Sequence, residues 1–247
     1  MLLEICTDSL KSSLIAEKAG ADRIELCADL CVGGTTPSAG LISQAKQHLS
    51  IPIAVMIRPR SGDFCYNQNE LDTMKADILF AKSQGAEGVV FGVLNPDGQI
   101  NTHAMKILIE AARPMEVVCH RAFDMTRDPV TSLNTLIELG VDRLLTSGFS
   151  NKVTENIELV KSLVDETGNR LTIMPGSGIN ADNIASLTQS TGVREVHLSG
   201  KEAIDSPMTY RKHVISMGSA SGDNEYMLEQ ASYEKIAEIS KLLKSLK

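Results

Sequence analysis

Gly20-Ala21-Asp22-Arg23-Ile24-Glu25-Leu26-Cys27 decides the fold, because it joins a turn to a strand in a form that the rest of the chain repeats. Side chains alternate across a strand, so Ile24 and Leu26 share one face while Glu25 and Cys27 share the other. The opening strand is built alike, with Leu3 and Ile5 opposite Glu4 and Cys6. Apolar faces of this kind suit packing against helices, and the two Glu-x-Cys faces should then point inward together.

The turn recurs as Gly85-Ala86-Glu87, Gly140-Val141-Asp142 and Gly192-Val193-Arg194, each time after a helical pattern and before an even-numbered strand. A glycine in that place is suited to end a helix in the left-handed conformation. The apolar runs predict eight strands: 2–6, 22–27, 53–58, 88–92, 117–121, 142–147, 171–175 and 195–199. Helical patterns fall between them at 9–19, 40–49, 70–84, 103–112, 130–139, 154–166 and 182–190, and a last one runs from about Glu225 to Leu246. Strict alternation of this kind implies βα units and a parallel sheet. The four joints are nearly evenly spaced, and neither a linker nor a change of style appears midway. The expectation is therefore an α/β fold, a closed (β/α)8 barrel of the TIM type, as one domain over residues 1–247. A Ser- and Gly-rich connection near 205–224 precedes the final helix.

Composition narrows the function classes. A net charge of −7 over 247 residues argues against nucleic acid and anionic membranes as partners. No apolar run approaches the roughly 20 residues of a membrane span, and MLLEICTDSLK enters a strand at once, so the expected compartment is the cytoplasm. There Cys6, Cys27, Cys31, Cys65 and Cys119 would remain thiols, open to metal or catalytic roles.

In such a barrel the reactive groups stand at the C-terminal strand ends. The candidates are Glu4, Cys6, Glu25 and Cys27 on the first two strands, Arg58 on the third, His120 and Asp124 after the fifth, and His197 on the eighth. Barrel interiors are normally Val, Ile and Leu, so this many inward titratable groups must pair or bind something. The bland reading has Arg58 bridging the two glutamates; the functional one makes Glu4, Glu25, Arg58, His120, Asp124 and His197 a catalytic set. The loops add anion-binding candidates: Gly176 and Gly178 after strand seven, Gly200 after strand eight, Ser147 and Gly148 after strand six, and Arg60 in the mixed loop Arg58-Pro59-Arg60-Ser61-Gly62-Asp63-Phe64-Cys65-Tyr66. A lone Gly-Ser-Gly can equally be a tight turn.

Several motifs then occur in order: Gly20-Ala-Asp-Arg-Ile-Glu-Leu-Cys27, Gly33-Gly-Thr-Thr-Pro-Ser38, Met56-Ile-Arg-Pro-Arg60, Gly62-Asp-Phe-Cys-Tyr66, His120-Arg-Ala-Phe-Asp124, Leu145-Thr-Ser-Gly148, Ser206-Pro207-Met208 and Met217-Gly218. Together they closely resemble the CutC family, named for copper homeostasis. The resemblance implies a (β/α)8 barrel, a cytoplasmic and often self-associated protein, a homo-oligomer, and Cu(I) ligation at the positions of Cys6 and Cys27. The sequence departs from the family's usual pattern at Cys31, Cys119 and Ser177.

Three functions fit these residues. Soft Cu(I) prefers thiolate, and neighbouring strands about 4.8 Å apart let two cysteines share one ion. Alternatively, Glu and His groups beside anion loops suit a lyase or isomerase acting on a small anionic, even phosphorylated, metabolite, with no nucleotide cofactor. No lysine lies within a predicted strand, which disfavours a Schiff base. The third is a binding or scaffold protein whose polar interior is a satisfied ion-pair network.

Overall fold

Eight short parallel strands form the centre of the structure, a computed structural model that describes residues 1–212, 214–215 and 225–246. They are β1 (Leu2–Thr7), β2 (Arg23–Leu26), β3 (Ile53–Met56), β4 (Gly88–Val90), β5 (Glu116–Cys119), β6 (Arg143–Thr146), β7 (Thr172–Pro175) and β8 (Glu195–Leu198). Hydrogen bonding runs in the order β7-β6-β5-β4-β3-β2-β1-β8, and β7 and β8 lie against one another, so the sheet nearly closes into a TIM barrel. The expected barrel is observed. Its strands are shorter than the sequence pattern suggests, and Arg58, Gly92, His120 and Ser147 stand just past the last ladder residues.

The helices α1 (Leu10–Lys18), α2 (Ala39–His48), α3 (Gln68–Ser83), α4 (Thr102–Ala112), α5 (Pro129–Glu138), α6 (Ile157–Thr167), α7 (Ile184–Thr191) and α8 (Tyr233–Ser245) form the outer ring. Several begin where a side chain accepts a free backbone N–H: Ser9 for α1, Ser38 for α2, Asn101 for α4 and Asp128 for α5. Asn67 and Glu70 start α3 with a reciprocal capping box. The four joint glycines, Gly20, Gly85, Gly140 and Gly192, all have positive φ, as the recurring turn requires.

Strand parity divides the interior in two. Leu3, Ile5, Ile24 and Leu26 join the apolar shell between strands and helices, while Cys27, Ala54, Met56, Val90, Val118, Leu145 and Met174 pack inside the barrel.

The last segment departs from expectation. Met227–Ala231 is a strand, β10, paired antiparallel with β9 (Lys201–Asp205), and the final helix starts at Tyr233 rather than near Glu225. The ribbon supplies backbone partners that isolated sequence could not reveal, and Ser232 breaks it before α8. Of the connection expected at 205–224, Arg211 ties back to Asp205 at 2.7 Å. Residues 213 and 216–224, including Met217-Gly218, lie outside the described residues.

Candidate functional site

Register stacks the charged groups inside the barrel, with Cys6, Glu25 and His197 at the mouth and Glu4 and Arg23 beneath them. Glu4 on β1 stands beside Arg23 on β2 and His197 on β8, and Cys6 stands beside Glu25. His197 Nδ1 lies 2.8 Å from Glu4 Oε1, and its Nε2 lies 3.8 Å from Glu25 Oε2. Arg23 Nε donates to Glu4, and Arg23 Nη2 donates to Glu195 at 2.7 Å. Below them Arg143 joins Glu195 at 2.8 Å and Glu116 at 2.5 Å. Arg23, absent from the candidate set, is therefore the cation that holds Glu4. Its parity with Glu25, two residues on, was the available signal.

Burial would raise Glu4, yet the hydrogen bond from His197 and the charge of Arg23 outweigh it and bring its pKa down to about 2. Burial would lower His197, but Glu25, Cys6 and Glu4 together push it well above the ordinary histidine value. Glu25 moves up, chiefly because it is buried. The Cys27 thiol is raised by burial and by Glu25, to whose Oε2 it donates at 3.5 Å.

A cavity of about 630 Å³ opens over this cluster, lined by Cys6, Glu25, Arg58, His120 and His197 among others, with Met56, Leu145 and Ile179 as apolar wall. Arg58 does not bridge the glutamates. Its guanidinium donates to the carbonyls of Val32, Gly34 and Gly62, each at 2.9 Å, and sits against the Phe64 ring. Among the described residues its Nε makes no hydrogen bond, and the buried Tyr66 hydroxyl stands close to the guanidinium. His120 packs against the same ring with centroids 4.9 Å apart. The Ala122 N–H donates to His120 Nδ1 at 3.2 Å, so the proton resides on Nε2, which is buried and has no hydrogen-bond partner among the described residues. Burial, then the Arg58 charge, pull His120 down to about 3. Gly92 makes room for this ring: a Cβ there would stand 3.0 Å from Nδ1.

The other candidates have different surroundings. Asp124 accepts from Thr146 Oγ1 at 2.5 Å, from Ser147 N at 2.9 Å and from Ser147 Oγ at 2.8 Å, and it pairs with Arg121 at 2.9 Å. It thereby ties the loops after β5 and β6 together. Gly148, also in that knot, donates its N–H to Thr146 Oγ1. Arg60 is spent on Asp63 and Glu70, on the side of the loop away from the cavity. Gly176 packs on Leu145 and His197, where a Cβ would fall 2.7 Å and 3.3 Å away. Gly178 lines the cavity, whereas Gly200 abuts Ile236 of α8. Cys31 is exposed, Cys65 half-buried and Cys119 buried in the apolar shell.

The ligand atoms of Cys6, Glu25 and His197 all lie within 4.8 Å of one another. With Nδ1 engaged by Glu4, Nε2 of His197 is the nitrogen free to face an ion. This is the carboxylate-histidine arrangement found behind many metal ligands. Thiolate plus imidazole is a donor set that suits a soft or borderline transition metal. Cys27 stands one step removed, bonded to Glu25.

A TIM barrel with a thiol, an imidazole and a carboxylate gathered at its C-terminal mouth defines the class. A family model described as "CutC family" matches residues 1–202. A mouse copper homeostasis protein cutC homolog is 42% identical over 99% of this chain and 90% of its own length. A CutC family protein from Parabacteroides distasonis is 46% identical over 95% of this chain and 97% of its own. A CutC crystal structure from Streptococcus agalactiae is 41% identical, with a TM-score of 0.78 over 81% of this chain and 98% of that one. The chain belongs to the CutC family.

Proposed function

We propose that this protein binds copper as Cu(I) at the barrel mouth and serves copper homeostasis. The observation that carries the reading is the convergence of Cys6, Glu25 and His197 within 4.8 Å. Cys6 as thiolate and His197 through Nε2 supply the soft and borderline donors, and Glu4 holds the imidazole in place. A hard carboxylate is a weak ligand for Cu(I), so the Glu25 charge serves mainly to compensate the ion. The Cys27 thiol, bonded to Glu25, is the second sulfur within the same cluster. The copper homeostasis names of the relatives support the choice of ion. A cytoplasmic setting, which keeps the thiols reduced, and self-association into a homo-oligomer complete the proposal; no helix among the described residues is long and apolar enough to cross a membrane.

Competition of Cu(I) against a chromophoric chelator tests the site. Cys6→Ser and His197→Gln should each weaken Cu(I) at least tenfold, and Cys27→Ser should weaken it less. Affinity unchanged across all three variants would overturn the reading.

A second reading has its own observation. Glu25, Arg58 and His120 each keep a buried polar atom with no hydrogen bond among the described residues, and all three line the cavity. Unpaired buried groups are costly, about 1–3 kcal/mol each, and a polar ligand relieves them. The cavity would then hold a small metabolite, as in an enzyme that moves protons.

A further inference from the structure

We propose that Arg58 and His120 form an oxyanion subsite in the cavity, and that its ligand is a small hydroxycarboxylate. The inference rests on the second reading above, that the cavity holds a metabolite, and it names the chemical class.

The free hydrogen-bonding capacity of the wall sets the class. Arg58 and His120 are 5% and 4% exposed, and each retains one N–H with no hydrogen bond among the described residues, Nε on the arginine and Nε2 on the histidine. Both side chains lie against the Phe64 ring, so both donors belong to one corner of the cavity. That corner asks for an acceptor oxygen. The Ala122 N–H on Nδ1 and the carbonyls around the guanidinium fix the two donors before any ligand arrives.

Glu25 supplies the complement. Its Oε2 is engaged by Cys27 and faces His197, while its Oε1 is buried and free to accept. A carboxylate oxygen for the two donors and a hydroxyl for Glu25 Oε1 would satisfy all three at once. Met56, Leu145, Ile179 and Leu198 then receive a short carbon skeleton.

The remaining cations argue against a phosphate. Lys201 pairs with Glu229, Arg121 with Asp124, and His197 with Glu4. Among the described residues lining the cavity, only Arg58 carries a positive charge with no carboxylate bound to it. One such charge matches a monoanion better than a dianion.

The test titrates 2-hydroxybutyrate, its amide, butyrate and inorganic phosphate into metal-free protein. Thermal shift gives the affinity, and ¹⁵N-histidine resonances report on His120 Nε2. The expected result is saturable binding of 2-hydroxybutyrate that moves the His120 resonance. Butyrate and the amide should each bind at least tenfold more weakly, as should 2-hydroxybutyrate to His120→Phe. The resonance experiment uses the wild-type chain, so it stands even if that variant misfolds. All titrations use metal-free protein, so a response there is separate from the copper proposal. Equal binding of the amide, or an unmoved His120 resonance, would overturn the subsite while leaving a metabolite cavity. Tighter binding of phosphate would overturn the hydroxycarboxylate class. No response to any probe would overturn both the subsite and the reading beneath it.

Discussion

His120 shows how one backbone contact sets a side chain's chemistry. Because Nδ1 accepts the Ala122 N–H, and because burial and Arg58 disfavour a second proton, the imidazole stays neutral in the folded protein down to a pKa of about 3. In the unfolded chain it titrates near 6.5, so below that pH the unfolded state binds the extra proton and stability is lost. The contribution is complete above pH 6.5 and falls by about 1.4 kcal/mol per pH unit as the pH drops towards 3. His197 is shifted the other way, and its stabilising contribution is already complete below pH 6.5. Wild type should therefore lose about 2 kcal/mol more than His120→Gln between pH 6.5 and 4.5. Urea unfolding at three pH values measures the difference, and equal slopes would mean that the ring titrates normally. The sequence places His120 and His197 at strand ends, but it conceals their opposite protonation states. Those depend on Ala122 for one ring and on Glu4 and Glu25 for the other.

At the scale of elements, the loop between β3 and α3 carries Phe64 to the cavity, and its far end is fixed by the start of α3. Glu70 closes the capping box with Asn67 and also holds Arg60 at 2.5 Å, so one carboxylate binds both helix and loop. Asn67→Ala should cost about 1 kcal/mol, as losing such a cap commonly does. Thermal unfolding would register it, and an unchanged midpoint would show that Glu70 alone secures the helix start. The four glycine joints and the alternation of Glu and Cys with aliphatic residues made most elements legible, because each is a local pattern with a fixed period. The ribbon of β9 and β10 was not legible. Its two strands are separated by more than twenty residues, and each is stabilised by the other rather than by its own sequence. The position of the glycines after β6, β7 and β8 suggests anion loops; of these Gly178 lines the cavity, while Gly176 makes room for His197 and Gly200 for Ile236.

Across the whole molecule, a chain of ion pairs runs up the inside of the barrel from Glu116 through Arg143, Glu195, Arg23 and Glu4 to His197. Its members come from β5, β6, β8, β2 and β1, so it exists only because the sheet closes on itself. A reading strand by strand could find every charge and still miss the partners, which are set by register across the closure. The chain links the copper proposal to the fold, since Glu4 both balances Arg23 and orients His197. Glu4→Gln should destabilise the protein by about 3–5 kcal/mol, the usual result of leaving one partner of a buried pair uncompensated. It should also weaken Cu(I) binding about tenfold to a hundredfold, because a carboxylate behind a histidine ligand raises its basicity and fixes its ring. Arg143→Met, at the other end of the chain, should destabilise the barrel while leaving Cu(I) affinity unchanged. Arg23→Met combined with Glu4→Gln should cost less than the sum of the two single changes, since each removes a charge that the other leaves stranded. Urea unfolding and chelator competition on the same four variants separate the two roles. If Arg143→Met lowered Cu(I) affinity as much as Glu4→Gln, the ion pairs would act on the mouth only through general stability, and Glu4 would have no particular part in positioning His197.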